Sequence, residues 1–373
     1  MDNGNNYHDH EEDGMPEASG ALQRDRMLAI VRASGNEQLP DGEKAALWQK
    51  IATGMTVVPT RRWWPQLLKA AAILLLVISA GIWWYQSRQE SIPALVAFAA
   101  QKQPLSGDSA LTRMILGNNR QLVIRNNRAS ITYHGSGGSL QIDSQRVSQQ
   151  LKEDKPVFNT LVVPYGNIAV LQLEDGTNVW LNAGSRLVYP AVFSKNKREV
   201  LLEGEAYFDV QQEAARPFSV YAADMQVAVL GTAFNISAYK DDNSTQIVLA
   251  SGSVQLKAFR GTGTDKAPVQ LQPGHRAVIS AQADMEVGAV NIAAFTSWKD
   301  GMIDASHMPL SEILKKLSRY YNQPILTDAR SGRETFSGKL NLKGTMNDVL
   351  DIIAASTSGK YEERENKIIF RTR

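Results

Sequence analysis

The 373-residue sequence contains no cysteine. Disulfides, thiolate metal sites and cysteine nucleophiles are therefore excluded, although an oxidising compartment is not, because such a compartment does not require cysteine. Histidine is scarce as well: the set is His8, His10, His134, His275 and His307, and none of those in the folded regions stands at a metal-ligating spacing such as H-x-x-x-H. Neither a G-x-S-x-G motif nor a paired-acid motif stands out. An excess of charge is also lacking, since 40 Lys and Arg oppose 38 Asp and Glu for a net charge of +2. So small and evenly spread a charge argues against nucleic acid as the main partner. These absences argue against an enzyme, and nothing in the chain calls for a cofactor or a metal.

What is present is one long oily stretch. Between Lys69 and Gln86 the run AAAILLLVISAGIWWY carries no charge. With Trp63, Trp64, Leu67 and Leu68 it reaches roughly 20 residues, the length needed to cross a hydrocarbon core about 30 Å thick. Trp63 and Trp64 at one end and Trp83, Trp84 and Tyr85 at the other suit the two headgroup zones, and the stem of Lys69 can reach back toward phosphate. Residues 63–86 are thus expected to form a transmembrane helix. Arg61, Arg62 and Lys69 crowd its N-terminal border, so the positive-inside rule places residues 1–62 in the cytoplasm and the C-terminal bulk outside.

The cytoplasmic arm begins with a polar, acidic tail over residues 1–18, too poor in apolar surface to fold. Apolar residues then recur at helical spacing from Leu22 to Val31 and from Lys44 to Met55, the second run opened by Pro40 and Asp41. Two helices this short cannot enclose a core of their own, so Met27, Val31, Leu47, Trp48 and Ile51 become the candidate partner-binding residues.

Beyond the span, residues 87–160 read as a connector with short strands at 114–116, 121–124 and 129–133 between Asn-rich turns. Residues 161–295 read as an all-β domain. Brief apolar runs there are broken by Asp175-Gly176 and by Gly204, Gly231, Gly252 and Gly274. Its acids Glu203, Glu205 and Asp209 share one face of a strand and read as a solvated face rather than a catalytic pair. Residues 296–373 change character. Leu310, Ile313, Leu314, Leu317 and Tyr321 make one helical face, and Thr345 with Asp348 caps a second helix bearing Met346, Val349, Leu350 and Ile353. Short strands bracket both helices, giving the order β-α-β, β-α-β-β. The expected fold class is a multidomain membrane protein: a short helical cytoplasmic arm, one transmembrane helix, an all-β domain on the outer side, which the resemblance described next makes periplasmic, and a small C-terminal α+β domain.

The strings VPYG (163–166), LEDGTNVWLNAGSRLVYP (173–190), LEGEAYFDV (202–210), PFSV (217–220), VLGTAFNISAY (229–239), LASGSVQL (249–256) and QPG (272–274) resemble, in order, the FecR-family anti-sigma factors. The C-terminal unit is similar to the secretin/TonB short N-terminal-like domain that ends many of them. The resemblance implies a single-pass inner-membrane regulator. By this reading a loaded TonB-dependent outer-membrane transporter signals to the periplasmic side, and an extracytoplasmic-function sigma factor is held and then released on the cytoplasmic side, with regulated proteolysis near the membrane as the economical trigger. An envelope scaffold or carbohydrate-binding module with no sigma partner is the alternative.

Overall fold

The structure is a computed structural model and describes residues 29, 40–54, 78–79, 93–101, 110–134, 137–151, 156–258, 267–280, 282 and 284–372. The expected transmembrane stretch lies outside them apart from Ile78 and Ser79, and so do Met27, Val31, Arg61, Arg62, Trp63, Trp64, Lys69, Trp83, Trp84 and Tyr85. Among the described residues no helix is long and apolar enough to cross a membrane. The chain divides into two units, residues 1–90 and 91–373.

In the first unit, α1 spans Asp41–Gly54, with Asp41 and Glu43 in its first turn, where carboxylates complement the helix dipole. The second unit opens with α2, Ala94–Gln101. Eighteen strands follow in one hydrogen-bonded sheet. They are β1–β5 (Thr112–Ile115, Gln121–Ile124, Arg128–His134, Ser139–Ile142, Gln145–Ser148), β6–β9 (Phe158–Val163, Ile168–Gln172, Asn178–Leu181, Ser185–Pro190) and β10 (Arg198–Asp209). Then come β11–β14 (Phe218–Ala222, Met225–Val229, Ala233–Ala238, Ser244–Ser251) and β15–β18 (Val254–Ala258, Val269–Leu271, His275–Ser280, Met285–Ala289). The strands of the connector and those of the expected all-β domain thus share a single sheet.

Long β10 belongs to two ladders. Its first half pairs with β9 and, in parallel, with β11 through Leu202; from Gly204 onward it pairs with β13, and from Ala206 with β8. The crossover requires glycine. At φ +97° a Cβ on Gly204 would stand 2.7 Å from the Ser185 Cα, so any side chain would collide with β9. Beyond the crossover the two ladders face each other. Phe208 stacks on Phe234 of its own ladder at 5.2 Å and meets Phe218 of the other at 6.2 Å, inside one large apolar core.

Alternation along β10 sorts its residues. Val200, Leu202, Ala206 and Phe208 enter that core, which leaves Leu201, Glu203, Glu205, Tyr207 and Asp209 on the opposite face. Leu201 packs with a smaller cluster in which α2 buries Leu95, Val96 and Ala99 against Val188 and Tyr221.

The expected α+β region is observed. After α3 (Ala293–Thr296) and a short 3-10 turn come β19 (Met302–Pro309), α4 (Leu310–Tyr321), β20 (Ile325–Thr327), β21 (Thr335–Asn341), α5 (Met346–Thr357), β22 (Gly359–Arg364) and β23 (Lys367–Thr372). Strands β19 and β21 pair with each other, while β20, β23 and β22 make a three-stranded sheet. Thr345 and Asp348 form the capping box that their spacing predicts, each side chain meeting the other's backbone N–H. A separate apolar core holds Leu310, Ile313, Leu314, Leu317, Phe336, Leu340, Val349, Leu350, Ile353 and Phe370.

Candidate functional site

The outward face of β10 does not stay in solvent. Glu205 is only 5% exposed, because the start of the C-terminal module covers it. A solvated Glu205 was the sequence expectation, and here the structure corrects it. Glu203 is half-buried between Arg186, at 3.3 Å, and Lys240, at 3.0 Å, and Asp209 alone of the three acids is exposed. The strand pattern fixes which face Glu205 occupies, but only a distant segment decides whether that face is wet.

A buried carboxylate needs donors, and Glu205 has them. Asn182 Nδ2 donates to one oxygen at 2.8 Å and Asn235 Nδ2 to the other at 3.0 Å. The Oδ1 of Asn235 in turn accepts from Trp298 Nε1 at 3.1 Å. Ser185 ties the same point of the backbone, its Oγ donating to the Glu205 carbonyl and accepting from the Glu205 N–H. A polar chain therefore runs from Asn182, just past β8, through β10 and β13 to Trp298 of the C-terminal module.

A second contact lies on α4. Arg319 is 8% exposed, and its guanidinium sits 3.6 Å from the centre of the Tyr239 ring. Its Nη2 donates to Asp242 at 2.6 Å and to Asp241 at 2.9 Å, and its Nη1 to Asp242 at 3.2 Å. Lys315, one turn earlier, pairs with Asp242 at 2.6 Å and Asp241 at 3.3 Å. Desolvation works to lower the Arg319 pKa, but the hydrogen bonds to Asp242 and the nearby acids raise it above its ordinary value. Burial likewise works to raise the Asp241 carboxyl, and Arg319 and Lys315 outweigh it and hold the group low. Burial, reinforced by Glu205, pushes the Tyr239 hydroxyl well up, which keeps it a neutral donor to the Ala183 carbonyl at 2.8 Å.

The VPYG loop completes the seam. The Gly166 N–H donates to the Arg319 carbonyl at 2.9 Å. Tyr165 lies over Gly184, where a Cβ would come within 2.1 Å of its ring at a backbone φ of +76°. A cavity of about 20 Å³ remains between Asn182, Glu205, Trp298, Met302 and Tyr320. A larger one, about 480 Å³, is bounded by Glu203, Tyr239, Lys240 and Asp242 together with Val96 and Ala99 of α2.

The residues singled out for partner binding fall elsewhere. Leu47, Trp48 and Ile51 lie on α1 and are 52%, 69% and 42% exposed. Their spacing of three and four residues sets them side by side on one helical surface. The seam residues Asn182, Glu205, Asn235, Tyr239 and Arg319 carried no role in the sequence reading. The available signal was that polar Asn182, Glu205 and Asn235 all sit inside the quoted strings, at positions where a plain strand needs no amide or acid.

Two family profiles match the chain in order: FecR protein over residues 159–255 and FecR, C-terminal over residues 305–370. No curated protein matches it. Among solved structures, a crystal structure at 1.65 Å of a candidate anti-sigma factor from Parabacteroides distasonis is similar, with 27% identity, a TM-score of 0.52, and coverage of 57% of this chain and 99% of that one. A second crystal structure of a candidate anti-sigma factor from that organism, at 2.50 Å, shares 27% identity and a TM-score of 0.52 over 58% of this chain and 99% of that one. All the residues of the seam lie within or beside the two matched segments, and on those matches the chain belongs to the FecR family.

Proposed function

We propose that this protein is a single-pass anti-sigma factor of the bacterial inner membrane. Its cytoplasmic arm holds an extracytoplasmic-function sigma factor, and its periplasmic part receives a signal from a TonB-dependent outer-membrane transporter. The family is regulatory rather than enzymatic, and the similar structure from Parabacteroides distasonis is described as a candidate anti-sigma factor. The single observation that carries the inner half of the reading is α1, whose Leu47, Trp48 and Ile51 stand exposed side by side. A helix of this type buries such a face in a groove on a partner. Three large side chains at about 1.5 to 3 kcal/mol each are enough to hold a complex before entropic costs are subtracted.

For the outer half, β20 and β22 are the border strands of the C-terminal three-stranded sheet and are open to strand addition by a signalling domain. The stretch 63–86 joins the halves. The test is capture of the sigma factor by the full chain in cells, compared with a Leu47→Ala, Trp48→Ala, Ile51→Ala triple variant and with a chain lacking residues 1–60. Loss of capture and a freed promoter in both is expected. A sigma factor still bound and silent without residues 1–60 overturns the scheme.

A further inference from the structure

The seam between the β-sheet module and the C-terminal module is built unlike either module. Each has its own apolar core, and no cluster of buried apolar residues joins the two among the described residues. The contacts across the seam are polar or cation–π. They include the Trp298 Nε1–H donated to Asn235, the Arg319 and Lys315 cations on Asp241 and Asp242, the Gly166 N–H donated to the Arg319 carbonyl, the Arg319 guanidinium on the Tyr239 ring and the Lys299 Nζ 5.8 Å from the centre of the Tyr207 ring. Packing is incomplete there, with the 20 Å³ cavity beside Glu205 and with the Arg319 Nε buried and unpartnered.

Such an interface has an asymmetric response. Removing the two acids would strand the buried Arg319 guanidinium in a dry site, whereas separating the modules as rigid bodies returns all of these charges to water and exposes no core. The seam is therefore sensitive to substitution yet able to open as a whole.

We infer that the seam is a two-state latch, closed by Arg319 on Tyr239, Asp241 and Asp242, and that signalling in this protein swings the C-terminal module away from β10. The inference rests on the relay reading above and specifies how its outer half is regulated. It also assigns a role to the polar residues of the family strings: Asn182, Glu205, Asn235 and Tyr239 present the fixed half of the latch. A ligandable coupling of this type needs two arrangements that both sites bias, and a rigid-body swing about a polar seam supplies them.

The absence of cysteine makes the test clean. In the full chain in detergent, Lys195→Cys on the β module and Ile352→Cys on α5, both exposed, provide the only two sites for spin labels. Distance distributions are read by pulsed dipolar spectroscopy, with hydrogen exchange of β10 and β13 as the check on folding. One dominant narrow distance is expected in the parent. Arg319→Ala should raise a second, longer component at least tenfold with β10 and β13 still protected, and Trp298→Phe should raise it less. One unchanged distance in Arg319→Ala with both cores protected overturns the latch. If Arg319→Ala does not fold, Lys315→Ala and Trp298→Phe decide in the same way. Sigma capture measured on the same variants reads the relay independently: lost capture in the α1 triple variant beside an unmoving seam refutes the latch and leaves the relay standing.

Discussion

Arg319 of α4 lies flat against Tyr239 at the end of β13, its guanidinium carbon 3.6 Å from the ring centre, while its nitrogens reach Asp241 and Asp242. Planar stacking and forked hydrogen bonding at once are open to arginine and not to lysine. Arg319→Lys should therefore lose most of what the contact contributes, and Arg319→Ala should destabilise the second unit by about 1 to 2 kcal/mol, because the stacking on Tyr239 and a partly solvent-screened ion pair are lost while both acids keep Lys315. Denaturant unfolding of both variants reads the difference, and equal stability of Lys and wild type would show that charge alone matters.

Glu205 accepts from Asn182 and Asn235 on different oxygens, so Glu205→Gln keeps an acceptor for one of them and turns an amide donor toward the other. A loss of about 2 kcal/mol is expected, the usual cost of an unpaired buried polar group, with Asn235→Ala costing a similar amount. A double variant should cost less than the sum of the singles, since the partners belong to one chain of hydrogen bonds.

Acid should weaken the seam from a predictable side. The Asp241 carboxyl is held below its ordinary value of 3.8, so the unfolded chain binds its proton first as pH falls. Its stabilising contribution is present above 3.8 and disappears as pH drops through the lowered folded value. Asp348, bound by its cap partner Thr345, is shifted the same way. Urea midpoints between pH 7 and pH 2.5 should fall below 3.8, and Asp241→Asn should start lower and fall less steeply.

Gly184→Ala should be costly although it adds one methyl group. The new Cβ enters the Tyr165 ring, and the backbone at φ +76° disfavours any L side chain. A loss of about 2 kcal/mol or more is expected, read as a lower melting temperature. Tyr165→Ala in the same background should recover the steric part and leave the backbone part.

Thr345→Ala removes the cap of α5 and should cost about 1 kcal/mol. Thr345→Ser, which keeps the hydroxyl, should recover most of it by the same melting experiment.

Much of the fold was legible because it rests on local periodicity. The helical faces at Leu310–Leu317 and Val349–Ile353, the Thr345 cap and the β-α-β, β-α-β-β order all follow from residues within a turn or two of one another. The seam was not legible in that way. Glu205 and Trp298 are 93 positions apart in the numbering and are linked only through Asn235, so no window along the chain contains the contact. Arg319 read as one more charge on an amphipathic helix, and only the fold sets it against Tyr239.

Order along the chain determined the element types, the all-β and α+β character of the two modules and the family strings, since hydrophobic spacing and glycine punctuation act over a few residues. Which polar side chains go dry was settled by tertiary structure alone. Burial depends on what covers a strand, and what covers β10 is folded from residues nearly a hundred positions further on.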